Sequence, residues 1–334
     1  MDNKITKQRL SDFLSYDWVV MIIAILVGVF VCNFVFNLFA VRPTVGQTFR
    51  IIYDENVSIY NEDGIYDAIH NSFSYDVLKL EAEQMQTEYN VLDVRVQTHD
   101  ADVVFTDTVK VTEERDVQAC RAWSIIDGFN VMDYRTLFNN ANDYLLTFLK
   151  DVYKGSPNEK SAALRFEYLD VEKIDKNFEQ RMLLDNRYRT EKKLNEGKLE
   201  ERERIKQLCL NARKLQYLLD YHSEIFFKYT KYEQALARAT AKGDSESIAQ
   251  ISEWIAAQKR NAPFGINLGK LEAVAGQKDI SNFFKVKNAD GAQDAVLLVF
   301  DMTDVQYDLQ YESIGFTIAL IEHCSGLLDI DLFN

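Results

Sequence analysis

Proline is nearly missing from this chain: 334 residues hold three, Pro43, Pro157 and Pro263. Pro43 closes a long apolar run, and the other two bracket a segment unlike its neighbours. Cysteine is scarce as well. Cys32, Cys120, Cys209 and Cys324 form no CxxC pair, which excludes the usual zinc spacings and a dithiol redox motif. Three of them lie outside the apolar run, where one disulfide would leave an odd thiol, so no disulfide framework is expected. Basic charge is short too: 38 Lys and Arg stand against 52 Asp and Glu, a formal charge of −14. Nucleic acids and anionic membrane surfaces are bound through clustered Lys and Arg, so neither is an expected partner. Solubility is the plainest consequence of the acidic excess.

Catalytic signatures are missing as well. The chain contains no GxGxxG, GxxxxGK[ST], HExxH or GxSxG. Its four histidines, His70, His99, His222 and His323, are scattered. His323 abuts Cys324, but neighbours on a helix point about 100° apart and form no nucleophile–base pair. His222 falls on an apolar stripe without neighbouring ligands, as a core-edge histidine with one hydrogen bond would. No enzyme, cofactor or metal centre is expected.

Charge disappears altogether from residues 18–41, WVVMIIAILVGVFVCNFVFNLFAV. At about 1.5 Å per residue, a helix of this length covers the roughly 30 Å hydrocarbon core of a bilayer. Only a helix satisfies its own backbone groups there. Trp18 suits the headgroup region at one end, and Arg42-Pro43 stops the helix at the other. The run exceeds the roughly 7–15 residues of a signal-peptide core and no A-x-A site follows, so it reads as an uncleaved signal-anchor. Lys4, Lys7 and Arg9 precede it, whereas Arg42 and Arg50 follow. That bias places the tail 1–17 in the cytoplasm and the C-terminal part outside the cell membrane. Asn33 and Asn37 lie at i and i+4 on one face of the span. Either a second helix takes that face, from another copy or a polytopic protein, recovering about 0.6–2 kcal/mol, or both amides are wetted near the interface.

Three further segments follow. In 44–157 the pattern is α/β. Thr48 to Asp54 alternates as a strand, and Ile65, Ile69, Phe73, Val77, Leu80 and Met85 predict a long helix from Asp63. Leu92 to Gln97 alternates as a second strand, His99-Asp100-Ala101 turns, and Asp102 to Thr106 reads as a buried strand. In 158–262 the chain is helical. A 3/4 spacing from Ile205 to Leu236, through Leu208, Ala212, Leu215, Leu219, His222, Phe226 and Tyr229, predicts one long helix broken in pattern at Glu233. Its antiparallel partner carries Val171, Ile174, Phe178, Met182 and Leu194, with a turn at Asn195-Glu196-Gly197. Lys242-Gly243-Asp244 supplies a C′ glycine and an N-cap before a third helix, Ser245 to Gln258. In 263–334 the character reverts to α/β: Ala295 to Asp301 is a buried-strand run, and Leu309 to Leu328 a helix with Ile314, Ile318, Ile321 and Cys324 on one face. The fold class is therefore α/β with a large helical lobe inserted into it, behind a transmembrane helix.

Acids and hydroxyls recur where apolar strands end: Asp54 and Asn56, Thr106 and Asp107, Asp301 and Thr303. Ligands of open α/β sheets bind outside such ends, and Trp123 would add buried aromatic area. The plainer reading is that these residues cap turns. A magnesium site from Asp54, Asp107 and Asp301 is disfavoured because Asp301-Met302-Thr303 lacks a second acid. TFRIIYDENV at 48–57, DADVVFTDT at 100–108 and NAPFGINLGKL at 261–271 resemble bacterial extracellular solute-binding proteins. The family's usual anchor is a lipidated cysteine and its second lobe is α/β, so the spanning helix and the helical 158–262 are departures. The resemblance implies capture of a small polar ligand between two lobes, lined by Asp54, Asn56, Thr106, Asp107, Trp123, Asp301 and Thr303. The rival expectation is a membrane-tethered helical module that assembles an envelope complex without a ligand.

Overall fold

A computed structural model describes residues 7–8, 11, 18–39, 48–60, 77, 79–85, 89–98, 100–109, 111–112, 118–148, 165–257, 262–275, 280, 283–287, 292–301, 307–325 and 327–328. The chain divides into two units, Met1–Thr44 and Val45–Asn334. In the first, helix α1 (Trp18–Phe39) runs for 22 residues without a charge. Its Trp18–Val35 stretch has a mean hydropathy of 2.8 and buries nothing within the unit. It is a candidate membrane span or signal anchor. Asn33 lies exposed on it, and Asn37 follows one turn later, its side chain outside the described residues.

The second unit is mixed α/β. Its main sheet runs β3 (Lys79–Gln84), β1 (Thr48–Tyr53), β4 (Val103–Asp107), β11 (Ala295–Phe300), β9 (Pro263–Asn267), β8 (Phe226–Lys228), with β7 (Val131–Met132) also paired to β11. β1 is parallel to both β3 and β4. β11 runs antiparallel to β4 and β9, and β8 antiparallel to β9. The carboxyl ends of β3, β1, β4 and β9 thus share one edge with the amino ends of β11 and β8. Two short pairs lie off this sheet, β2 (Val57–Ile59) with β10 (Phe284–Val286), and β5 (Val111–Thr112) with β6 (Gln118–Ala119).

Strand alternation sorts the apolar side chains onto two faces, as a period of two requires. Phe49, Ile51, Val103, Phe105, Leu297 and Val299 point one way. Ile52, Val104, Val296, Leu298 and Phe300 point the other. Covering both faces explains why β4 and β11 are buried along their whole length. The first face carries α4 (Tyr134–Phe148), α6 (Glu191–Tyr221) and α10 (Tyr307–Cys324), which contribute Tyr134, Leu137, Leu208, Leu215, Phe316 and Ile318. The second carries α2 (Tyr89–Gln97) and α3 (Arg121–Gly128), with Leu92, Ala122, Trp123 and Ile125. All four cysteines are free thiols, and burial pushes the Cys209 thiol up to about 12.

The predicted strands at 48–54, 102–106 and 295–301 and the last helix are present. Ile314, Ile318, Ile321 and Cys324 are buried as their spacing implies. Three element assignments are corrected. Lys79–Gln84 is an edge strand, not the end of a helix, and the earlier part of that predicted helix, 63–76, lies outside the described residues. Cross-strand pairing decides the matter, since Arg50 Nε meets Glu81 at 2.8 Å. Tyr89–Gln97 is a helix, not a strand: Leu92 and Val96, one turn apart, meet the core while Val94 is 58% exposed. The long stripe from Ile205 is interrupted. α6 ends at Tyr221, a short 3-10 turn follows at Ser223–Ile225, Phe226–Lys228 joins the sheet, and a separate α7 spans Lys231–Lys242.

The antiparallel helix pair exists, between α5 (Val171–Met182) and α6. Its ion pairs Asp175–Arg202 and Glu179–Lys198 run in opposite sequence directions. The turn, however, lies at 183–190, and the predicted turn residue Gly197 sits within α6. A Cβ there would come within 2.5 Å of Tyr188 and 2.8 Å of Phe178, so glycine serves close helix packing. Gly243, at φ 69°, is the predicted left-handed cap of α7. Asp244 then accepts from the Ser247 N–H at 3.1 Å at the start of α8 (Ser245–Ala257).

Candidate functional site

Strands β1 and β4 deliver their terminal polar residues to one place. The Asp54 N–H donates to the Phe105 carbonyl at 2.9 Å, extending the β1–β4 pairing past the last strand residue. The Asp54 carboxylate is fully buried. It accepts from Thr106 Oγ1 at 2.9 Å, Arg121 Nε at 2.7 Å and the Glu55 N–H at 2.9 Å. Asp107 accepts from Asn56 Nδ2 at 3.0 Å and from the Val109 N–H at 2.9 Å. Burial pushes the Asp107 carboxyl above its ordinary value, while the Asn56 amide and the Val109 N–H pull it back. Asp54 with Thr106 and Arg121, at the start of α3, and Asp107 with Asn56 thus form two hydrogen-bonded groups side by side, coupled by charge: Asp54 raises the Asp107 carboxyl and Arg121 lowers it.

Arg121 was not singled out by motif or spacing. The usable signal was chemical: a carboxylate at the end of a buried strand needs a cation, and Arg121 stands two residues before the aromatic already chosen. Trp123 lies on the same helix and is 3% exposed. Its ring meets Tyr229 edge-on at 6.1 Å, and the Tyr229 hydroxyl donates to the Asp127 carboxylate. The Trp123 indole N–H is buried without a hydrogen-bond partner.

Asp301 is elsewhere. β11 runs antiparallel, so its carboxyl end lies beside the amino end of β4, with Val299 opposite Val103. The Asp301 N–H donates to the Asn130 carbonyl at 2.8 Å there. Convergence of strand ends holds only among parallel strands, which is why the pattern misplaced this residue. Thr303 lies outside the described residues.

At the edge where β1, β4 and β9 end, a cavity of about 690 Å³ opens. Val109, Trp123, Phe226 and Phe227 give it apolar walls. Glu224, Lys228, Lys270 and Asp294 bring charge, and Thr108, Ser223, Thr230 and Asn267 supply hydroxyl and amide groups. The break after α6 is what places Ser223 to Lys228 here, because β8 pairs Phe226 with Ile266. The β8–β9 register then slips between Phe227 and Lys228, an irregularity of the kind found beside functional sites. Asn267 ends β9 and caps α9 (Leu268–Ala275), its Oδ1 accepting the Lys270 N–H at 2.8 Å. Of the residues expected to line a ligand site, Trp123 lines this cavity and Asp54, Asn56, Thr106, Asp107 and Asp301 do not, while the 223–230 wall carries no sequence signal and depends on the interrupted helix.

Among the described residues no group of three or more His, Cys, Asp or Glu is placed to hold a metal ion. Comparison with protein-family models, with curated proteins and with solved structures gives no match for this chain.

Proposed function

We propose that this chain is a single-pass membrane protein whose Val45–Asn334 unit lies outside the cytoplasm and captures a small polar ligand. One observation carries the reading: the 690 Å³ cavity at the carboxyl edge of the sheet, walled by Trp123 and rimmed with polar groups. Small-molecule sites of about 300–1,000 Å³ share that size and that mixture of apolar wall and few polar groups. Its position outside the ends of parallel strands is where open α/β sheets hold ligands. Support for the solute-binding likeness comes from the sheet order, three parallel strands beside an antiparallel β11 that returns from the far end of the chain. Lining residues are drawn from three stretches far apart in sequence, within 108–123, 223–230 and 267–294, so the folded unit builds the cavity. The charge-free α1 and the basic residues before it support the anchor and its direction. A second copy or a membrane partner would meet the Asn33/Asn37 face.

The rival reading, a helical docking module, needs an exposed apolar stripe. Ile205, Leu208, Ala212, Leu215 and Leu219 are all buried, which favours the ligand-binding reading. What the helix pair does expose is scattered, Leu183 and Leu184 at its turn and Leu199 and Tyr221 on α6. The test is a melting-temperature panel on the full chain in detergent, with sugars, amino acids, short peptides and nucleotides. A ligand at about a hundred times its Kd adds roughly 2.7 kcal/mol, a rise of a few degrees. Stabilisation by one chemical class is the expected result; a flat panel on a well-folded protein overturns the proposal.

A further inference from the structure

The charged side chains of the cavity are not equivalent. Glu224 faces His222 Nδ1 at 3.3 Å, and Asp294 accepts from Thr108 Oγ1 at 3.1 Å. Both acids therefore have partners. Among the described residues neither Lys228 nor Lys270 has one. Both of these lysines are exposed to solvent at the cavity wall. The Trp123 indole N–H is also unpaired, but it is closed off from the cavity that its ring lines. The unpaired charges of the wall are therefore both cationic. The first turn of α9, where Asn267 and Lys270 both line the cavity, adds the positive end of a helix dipole to the same wall.

We propose that the cavity binds a ligand bearing an anionic oxygen group, a carboxylate or a phosphate, held by Lys228 and Lys270 with its apolar body against Trp123 and Phe227. This rests on the ligand-binding reading and specifies its chemistry. The site runs against the charge of the whole chain, −14, so the selectivity is local to these donors. A compact apolar body suits the aromatic wall, and both acids already have a protein partner whereas the two lysines have none.

Four probes of one shape separate the possibilities: benzoate, phenyl phosphate, benzyl alcohol and benzylamine, titrated calorimetrically into the full chain in detergent against empty micelles. The expected result is that an anion binds at least tenfold more tightly than the alcohol or the amine, the tighter of benzoate and phenyl phosphate naming the group. Combining Lys228→Gln with Lys270→Gln should weaken that anion at least tenfold and leave the alcohol unchanged, while the Lys228→Arg, Lys270→Arg pair retains binding. Equal affinity for the neutral or cationic probe, or unchanged anion affinity in the glutamine variant, overturns the anion assignment and leaves the cavity as a ligand site. Heat from none of the four overturns both.

Discussion

Asp102 shows how one residue sets a pH dependence for the whole unit. It is 3% exposed at the start of β4, accepts the Arg50 N–H at 2.6 Å, and burial pushes its carboxyl up to about 7. The folded chain then holds a proton between about pH 4 and 7 that the unfolded chain has lost, so this group's contribution to stability falls as pH rises through that window. Asp102→Asn removes the titration and keeps an amide oxygen for the Arg50 N–H. Denaturant melts of the two proteins should converge near pH 4 and separate by up to roughly 4 kcal/mol above pH 7, the variant being more stable. Parallel curves would show that Asp102 is ionised at no cost. Asp54 sits in an ion pair. Its buried carboxylate is matched by Arg121, so Arg121→Met should cost about 3–5 kcal/mol, and removing both charges should cost less than removing the arginine alone. Equilibrium unfolding of the double-mutant cycle checks this. At the cavity, Trp123→Ala should weaken any bound ligand at least tenfold, whereas Asp301→Asn, at the opposite edge, should leave affinity unchanged.

Elements were legible in the sequence where local pattern and tertiary demand agreed. Ala295 to Phe300 is apolar throughout and is buried on both faces, so one reading was available. Leu92 to Gln97 fits either period, and only packing of Leu92 and Val96 against the second core face makes it a helix. Lys79 to Gln84 favours helix by composition, yet pairing along β1 holds it as a strand. The heptad from Ile205 continued past His222 on paper because Phe226 and Tyr229 kept its spacing, while the sheet claimed Phe226 for β9. For the site, strand-end polarity pointed to Asp54, Asn56, Thr106 and Asp107, but strand direction, which sequence pattern does not carry, decided Asp301. The Gly197 contact is also tertiary. Gly197→Ala gains up to about 1 kcal/mol of helix propensity and should still destabilise by about 1–3 kcal/mol, because the methyl meets Tyr188 and Phe178. Chemical denaturation giving a neutral or stabilised variant would show that these rings move aside freely.

At the scale of the molecule, the account joins an apolar helix to a mixed α/β unit with a cavity at one sheet edge. Its topology is checked by reporters fused after Asn334, where alkaline phosphatase should be active and a cytoplasm-dependent fluorescent protein dark. The reverse pattern would place the unit inside the cell. The central claim is that the cavity is the binding site. The most direct measurement sets the ligand panel on wild type beside Ser223→Trp, in which a bulky ring replaces an exposed serine at the cavity wall. The account predicts that one chemical class raises the wild-type melting temperature by a few degrees and leaves the variant, equally well folded, unmoved. Equal stabilisation of both proteins, or of neither, would contradict it.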